Sequence, residues 1–135
     1  MLVSPDGRVL FTEKELACKE TGRIELAEGF GDDLLELRLT SGIIMPLTSC
    51  CRSALHNRAV GGHPHSLHIW DNNPRWGRIG TCAVDSVMPN AIDRAILIEA
   101  ALDLGWSVGI NFARNFLHFD RRTKYLGLER VLFSY

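Results

Sequence analysis

The sequence has no run near the ~20 consecutive apolar residues that a membrane-crossing helix needs, so insertion into a bilayer is excluded. It has almost no net charge: 15 Lys and Arg against 16 Asp and Glu leave −1. Without a broad basic field, binding to duplex nucleic acid through its phosphates is not expected. No secretory leader is visible, because Asp6 and Arg8 interrupt the first ten residues before an apolar stretch develops. The expectation is therefore a chain made in the cytoplasm. Paired cysteine spacing is missing too. Cys18, Cys50, Cys51 and Cys82 contain no C-x-x-C, and adjacent Cys50 and Cys51 seldom bridge each other. Neither a disulfide framework nor a cysteine zinc knuckle fits, which leaves reduced thiols packed as small apolar groups. There is no internal repeat and no low-complexity tract.

What remains is ordinary globular usage, with 46% hydrophobic residues in 135. A chain of this size buries about two-thirds of its surface on folding, enough for one core, and a single domain over residues 1–135 is expected. Thr12 followed by Glu15 fits a capping box before a short helix over 13–19. Leu26, Phe30, Leu34 and Leu37 recur at helical spacing, which predicts a helix over 24–40 closed by Ser41-Gly42. Residues 43–51 read as a strand and 53–60 as a helical turn or two. The Pro-, Asn- and Gly-rich stretch 63–79 reads as a long loop of the functional or mobile kind. A strand over 80–87 follows, then a helix over 91–104 capped by Asn90, with Ile92, Ile96, Ala100 and Leu104 on its apolar stripe. Short strands are expected at 106–110 and 116–120, and a final one within 125–135. Without a regular βαβ rhythm, this is an α+β fold with a small antiparallel sheet and flanking helices.

Five histidines occur, four of them at His56, His63, His65 and His68, and the fifth, His118, in the strand FLHFD. A histidine-rich polar loop reads either as a metal site or as a solvated loop. Asp85 bears on the choice: it ends the apolar run CAVD, where an unpaired carboxylate is costly to bury and a cation would resolve the cost. Two imidazoles and a carboxylate form a common open zinc site.

The runs CRSALHNRAVGGHPHSLH, GTCAVD and FLHFD resemble the zinc D-alanyl-D-alanine carboxypeptidases. That group includes bacteriophage endolysin peptidases and shares its fold with the hedgehog signalling domain. Its pattern runs Arg-Ser, His-Asn, Val-Gly-Gly, S-x-H-x-x-G-x-A-x-D, and later His-x-Asp. The opening FTEKELACKETG and the helix ending LRLTSG agree as well, so the resemblance covers roughly residues 11–120. It implies a hedgehog/DD-peptidase-like fold and zinc held by His68, Asp85 and His118. It implies that Arg52 holds a substrate carbonyl or carboxylate and stabilises the oxyanion, a role suited to a planar bidentate donor. Ser66, beside the first ligand, helps orient substrate. Asp120 lies on the same strand face as His118, where it can fix the imidazole's tautomer or form a salt bridge with Arg121 or Arg122.

Two departures qualify the pattern. Sixteen residues lie between His68 and Asp85, about ten more than the pattern has, and Thr81 occupies the pattern's glycine with Gly80 one place early. Trp70 and Trp76 flank this excess, which reads as a lid, a glycan-contacting loop or a surface excursion whose closure entropy is small. The family's general base, three residues before the last histidine, is Asn115 here, and an amide accepts no proton at neutral pH. Either another carboxylate (Asp71 or Asp120) substitutes, or zinc-bound water suffices with Asn115 hydrogen-bonding it, or the protein binds wall peptide without cutting it. The expected function is a phage- or prophage-derived zinc metallopeptidase of peptidoglycan stem or cross-bridge peptides, monomeric and acting at the bacterial wall. The alternatives are a catalytically silent zinc-containing wall-binding domain and a metal-free virion component.

Overall fold

The computed structural model describes residues 1–135. Strands β1 (Leu2–Val3) and β2 (Val9–Phe11) pair antiparallel and deliver Phe11 into the core. The capping box then starts α1 (Glu13–Leu16): Thr12 Oγ1 accepts from Glu15 N, and Glu15 Oε1 accepts from Thr12 N. The other Glu15 oxygen accepts from Leu47 N at 2.8 Å, so the cap also anchors the first strand of the main sheet. This helix stops short of the expected Lys19 because Ala17 is extended and Cys18 begins a turn closed by Gly22.

The next helix, α2 (Phe30–Ser41), starts later than its apolar spacing predicts. Leu26 instead bridges Thr81 in parallel, and Gly29 at φ 82° turns the chain into the helix. Tertiary pairing overrides local periodicity there. The rest of the stripe holds, since Phe30, Leu34 and Leu37 are buried.

Five strands form the main sheet in the order β3-β4-β6-β5-β7: β3 (Leu47–Ser49), β4 (Ala83–Val87), β5 (Ser107–Asn111), β6 (Phe116–Asp120) and β7 (Leu132–Ser134). Neighbours are antiparallel except β5 and β7, which run parallel. The expectation of an antiparallel sheet is corrected at that edge. After β6 the chain does not make a hairpin; it passes through a short helix (Arg122–Leu126) and returns on the far side of β5. The expected strand over 43–51 shrinks to three residues around Leu47–Ser49. The class remains α+β, with helices α3 (Ala54–Ala59) and α4 (Ala91–Asp103) completing the set; the Arg122–Leu126 helix is α5. None of the helices is long and apolar enough to cross a membrane.

On α4 the expected stripe holds only in its second half, where Ala100 and Leu104 pack against the core. Ile92 is 72% exposed and Ile96 41%, whereas Leu97 and Ala101 are buried. Apolar residues occur around most of this helix, so period alone could not choose its inward face; packing against α2 and β5 does. Trp106 begins the β5 side of that core, fully buried between Phe30 and Phe119. All four cysteines are free and buried, as expected.

The excess residues between His68 and Asp85 leave and re-enter at one point. Gly80 N donates to Trp70 O at 3.3 Å, and Cys82 N to Leu67 O at 3.1 Å. Trp70 is core, not lid: it is 4% exposed, with the Arg23 and Arg78 guanidinium groups stacked on it. Gly80 has φ 81°, and a Cβ there would lie 2.6 Å from Ala27 N. Gly80→Ala is therefore expected to cost about 2 kcal/mol or more. It should lower the urea midpoint at unchanged slope; an unaltered midpoint would show that this crossing does not hold the excursion's base.

Candidate metal centre

Three elements bring the centre together. The β4–β6 register sets Asp85 directly opposite His118, so both side chains emerge on one face of the sheet. His68 arrives from the segment after α3, held by a parallel bridge between Arg52 and Ile69. Arg52 N donates to His68 O at 2.9 Å, and the Thr81 hydroxyl to the same carbonyl at 2.7 Å. His68, Asp85 and His118 are all buried, and one ligand atom from each lies within 4.8 Å of the others.

Hydrogen-bond partners assign the ring nitrogens. His68 Nδ1 lies 2.8 Å from Cys50 O, an acceptor only, so Nδ1 carries the hydrogen and Nε2 is a bare lone pair. Burial lowers the His68 pKa and outweighs the pull of Asp85, so the ring is neutral. His68 Nε2 is buried without a hydrogen-bond partner, although Asp85 Oδ1 is only 3.3 Å away. That contact joins two acceptors and is no hydrogen bond. On the other side, His118 Nε2 donates to Asp120 Oδ2 at 2.7 Å, and His118 Nδ1 faces Asp85 Oδ1 at 3.0 Å. Burial works against protonation of His118, but Asp120 and Asp85 outweigh it and raise the pKa to about 9. A bare imidazole nitrogen, a carboxylate oxygen and a second imidazole nitrogen thus crowd one point. The residues fit a divalent metal ion held by His68 Nε2, Asp85 and His118 Nδ1.

The supporting groups are as specific. Asp120 is fully buried, and besides His118 it accepts from Arg122 N and Nε through Oδ1 and from Arg122 Nη2 through Oδ2. Burial would raise its pKa, but hydrogen bonds from His118 and Arg122 bring it down to about 2. It stays ionised and orients the His118 ring. Gly109 faces His118 across β5–β6, and a Cβ there would meet the Phe133 ring at 2.5 Å. Its bare Cα lets Phe133 lie against His118, ring centroids 5.9 Å apart.

Arg52 is held by three acceptors: Nε donates to Ser49 Oγ at 2.9 Å, Nη1 to Asn57 Oδ1 at 3.2 Å and Nη2 to Asp85 Oδ2 at 3.2 Å. Asn57 in turn donates to His63 O. A Cβ on Gly62 would fall 2.1 Å from Asn57 Oδ1. The Arg-Ser, His-Asn and Gly-Gly segments therefore work together: Ser53 caps α3, α3 carries Asn57, and Gly62 leaves room for Asn57 to hold Arg52.

A cleft of about 700 Å³ opens over the centre, lined by Arg52, Ser66, His68, Asp85, His118 and Asp120 among others. Ser66 Oγ accepts from His68 N at 3.2 Å. Asn115 is apart from these. It is exposed in the β5–β6 turn at φ 54°, a conformation asparagine tolerates, its carbonyl accepts from Met88 N, and it does not line the cleft. Asp71 does not line it either; its carboxylate accepts from Ala54 N at 2.7 Å and helps start α3. Trp76 lines the cleft, whereas Trp70 does not. Sequence reasoning missed the Cys50 carbonyl, Asn57, Gly109 and Phe133. Only Asn57 carried a signal, inside the His-Asn pair; the others act through backbone or long-range packing.

No protein-family model, curated protein or solved structure matches this chain. The centre's chemistry rests on its own geometry, and Asp120→Asn tests it. Loss of that carboxylate is expected to weaken divalent-ion affinity about 10- to 100-fold, read by competition with a chromogenic chelator. Undiminished affinity would mean that His118 needs no such partner.

Proposed function

We propose that this chain is a zinc-dependent peptidase of bacterial cell-wall peptide, of the D-alanyl-D-alanine carboxypeptidase and phage endolysin type, acting at the wall. The observation that carries the reading is the convergence of His68, Asp85 and His118, with an orphaned imidazole nitrogen, beneath a cleft that Arg52 also lines. Zinc suits a set of two imidazoles and one carboxylate, and when bound there it supplies Lewis acidity toward a carbonyl and an activated water.

The chain's own residues do the rest. Arg52, its guanidinium held by Ser49, Asn57 and Asp85, offers its remaining N–H donors to a peptide carbonyl oxygen or a terminal carboxylate. Ser66 presents a hydroxyl beside the first ligand. Asn115 takes no part, being outside the cleft. Asp120 is committed to His118 and Arg122 and is not free to take a proton. His63 and His65, whose rings line the cleft 5.6 Å apart, are the groups left to accept a proton and pass it to the leaving amine.

The commitment of both cleft carboxylates also favours a second reading, a zinc-containing domain that binds wall peptide without cutting it. Zymography on purified peptidoglycan separates the two. For the peptidase, wild type clears the gel, His68→Ala abolishes clearing, and His63→Gln/His65→Gln reduces turnover at least 100-fold with zinc retained. Binding without clearing would support the second reading. A zinc content near zero in protein purified without a histidine tag would remove both.

A further inference from the structure

The cleft carries more positive charge than its own carboxylates balance. Four arginines line it, at Arg52, Arg75, Arg114 and Arg122, against two acidic side chains, Asp85 and Asp120. Asp85 is taken by Arg52 at 3.2 Å and Asp120 by Arg122 at 2.6 Å. Arg75 and Arg114 enter no ion pair anywhere in the chain. This surplus is local, since the whole chain has a net charge of −1.

Neither arginine hangs from a loose segment. Arg75 belongs to a tight turn closed by two hydrogen bonds between Asn73 and Gly77, at 3.1 and 2.8 Å. Asn73 is 4% exposed and uses its whole amide: Oδ1 accepts from Arg75 N and Trp76 N, and Nδ2 donates to His65 O and Ser66 O. The turn is thereby fastened to the segment that carries Ser66 and His68. The Arg75 guanidinium stacks 4.6 Å from the Trp76 ring, which limits its freedom and leaves its in-plane donors for a ligand. On the other segment, Arg114 N donates to Asn111 Oδ1 at 3.0 Å within the β5–β6 turn.

We propose that Arg75 and Arg114 form a receiving site for a second carboxylate of the ligand, so that the cleft selects acidic peptides over their amidated counterparts. This rests on the peptide reading above and adds the charge of the substrate. An unpartnered guanidinium matches a carboxylate bidentately, and the interaction weakens with salt because both arginines are exposed. It also gives the excursion at 70–80 a role: the turn built by Asn73 forms the wall that reads charge.

The test is direct binding, scored separately from cleavage. Two synthetic wall peptides share a D-alanyl-D-alanine terminus and differ only in free or amidated side-chain carboxylates. Calorimetry at low salt on zinc-loaded wild type is expected to give about tenfold or greater preference for the acidic peptide. In Arg75→Gln/Arg114→Gln, with matched zinc content and thermal midpoint, the preference should fall within about twofold. High salt should erode the wild-type preference and leave the variant unmoved. Equal wild-type affinities, or a preference that survives in the variant, would overturn the proposal. A preference lost as expected, with neither peptide cut, would sink the peptidase reading and leave this one standing. Cleavage of both peptides at equal affinity would do the reverse, and wild type binding neither would end both.

Discussion

A buried carboxylate oxygen with an imidazole nitrogen on either side, at 3.3 and 3.0 Å, is the constraint around which this molecule is arranged. Removing an ionised Asp85 from water is expensive, and one flanking nitrogen is a lone pair that repels it. The fold answers from three directions. Arg52 takes the outer carboxylate oxygen, the Cys50 carbonyl fixes which His68 nitrogen faces inward, and Asp120 with Arg122 does the same for His118. Burial opposes the charged form of Asp85, yet the hydrogen bond and charge of His118 hold its pKa below the ordinary carboxylate range. A centre so organised is prepared for a cation before one arrives, which is the preorganisation that metal sites depend on.

The sheet explains why the arrangement is precise. Asp85 and His118 face each other across adjacent antiparallel strands, so their relative position is set by backbone hydrogen bonds and not by rotamer preference. The third ligand, on irregular backbone, is tied down by the Arg52–Ile69 bridge and the Thr81 hydroxyl. Gly109 completes the design from the next strand, since its bare Cα lets Phe133 close over His118.

Much of this was legible in the residues. Thr12 and Glu15 announce their capping box, Asn90 its helix, and Phe30, Leu34 and Leu37 their buried face. The ligand trio was legible through its motifs, and its convergence despite sixteen intervening residues follows from hydrogen bonds that close the excursion at its base. What the sequence hid is what long-range contacts decide. Residues 24–27 have helical spacing yet pair with Thr81, and α4 has apolar side chains around most of its surface, so its inward face is chosen by neighbours. The parallel β5–β7 edge was invisible because nothing local distinguishes a strand that returns beyond its neighbour. Asn115 read as the occupant of the general-base position; its backbone conformation gives it an ordinary reason to be asparagine in a turn.

The pinch between Trp70 and Gly80 has a further implication. Because the detour begins and ends at neighbouring backbone positions, its added length leaves His68 and Asp85 free to converge with His118. Such a segment can vary at its exposed tip, around Pro74 and Arg75, at the modest entropic cost of a locally closed loop, while the Asn73 amide keeps it tied to the segment that carries His68. Variation at that tip is thereby separated from the positions of the three candidate ligands.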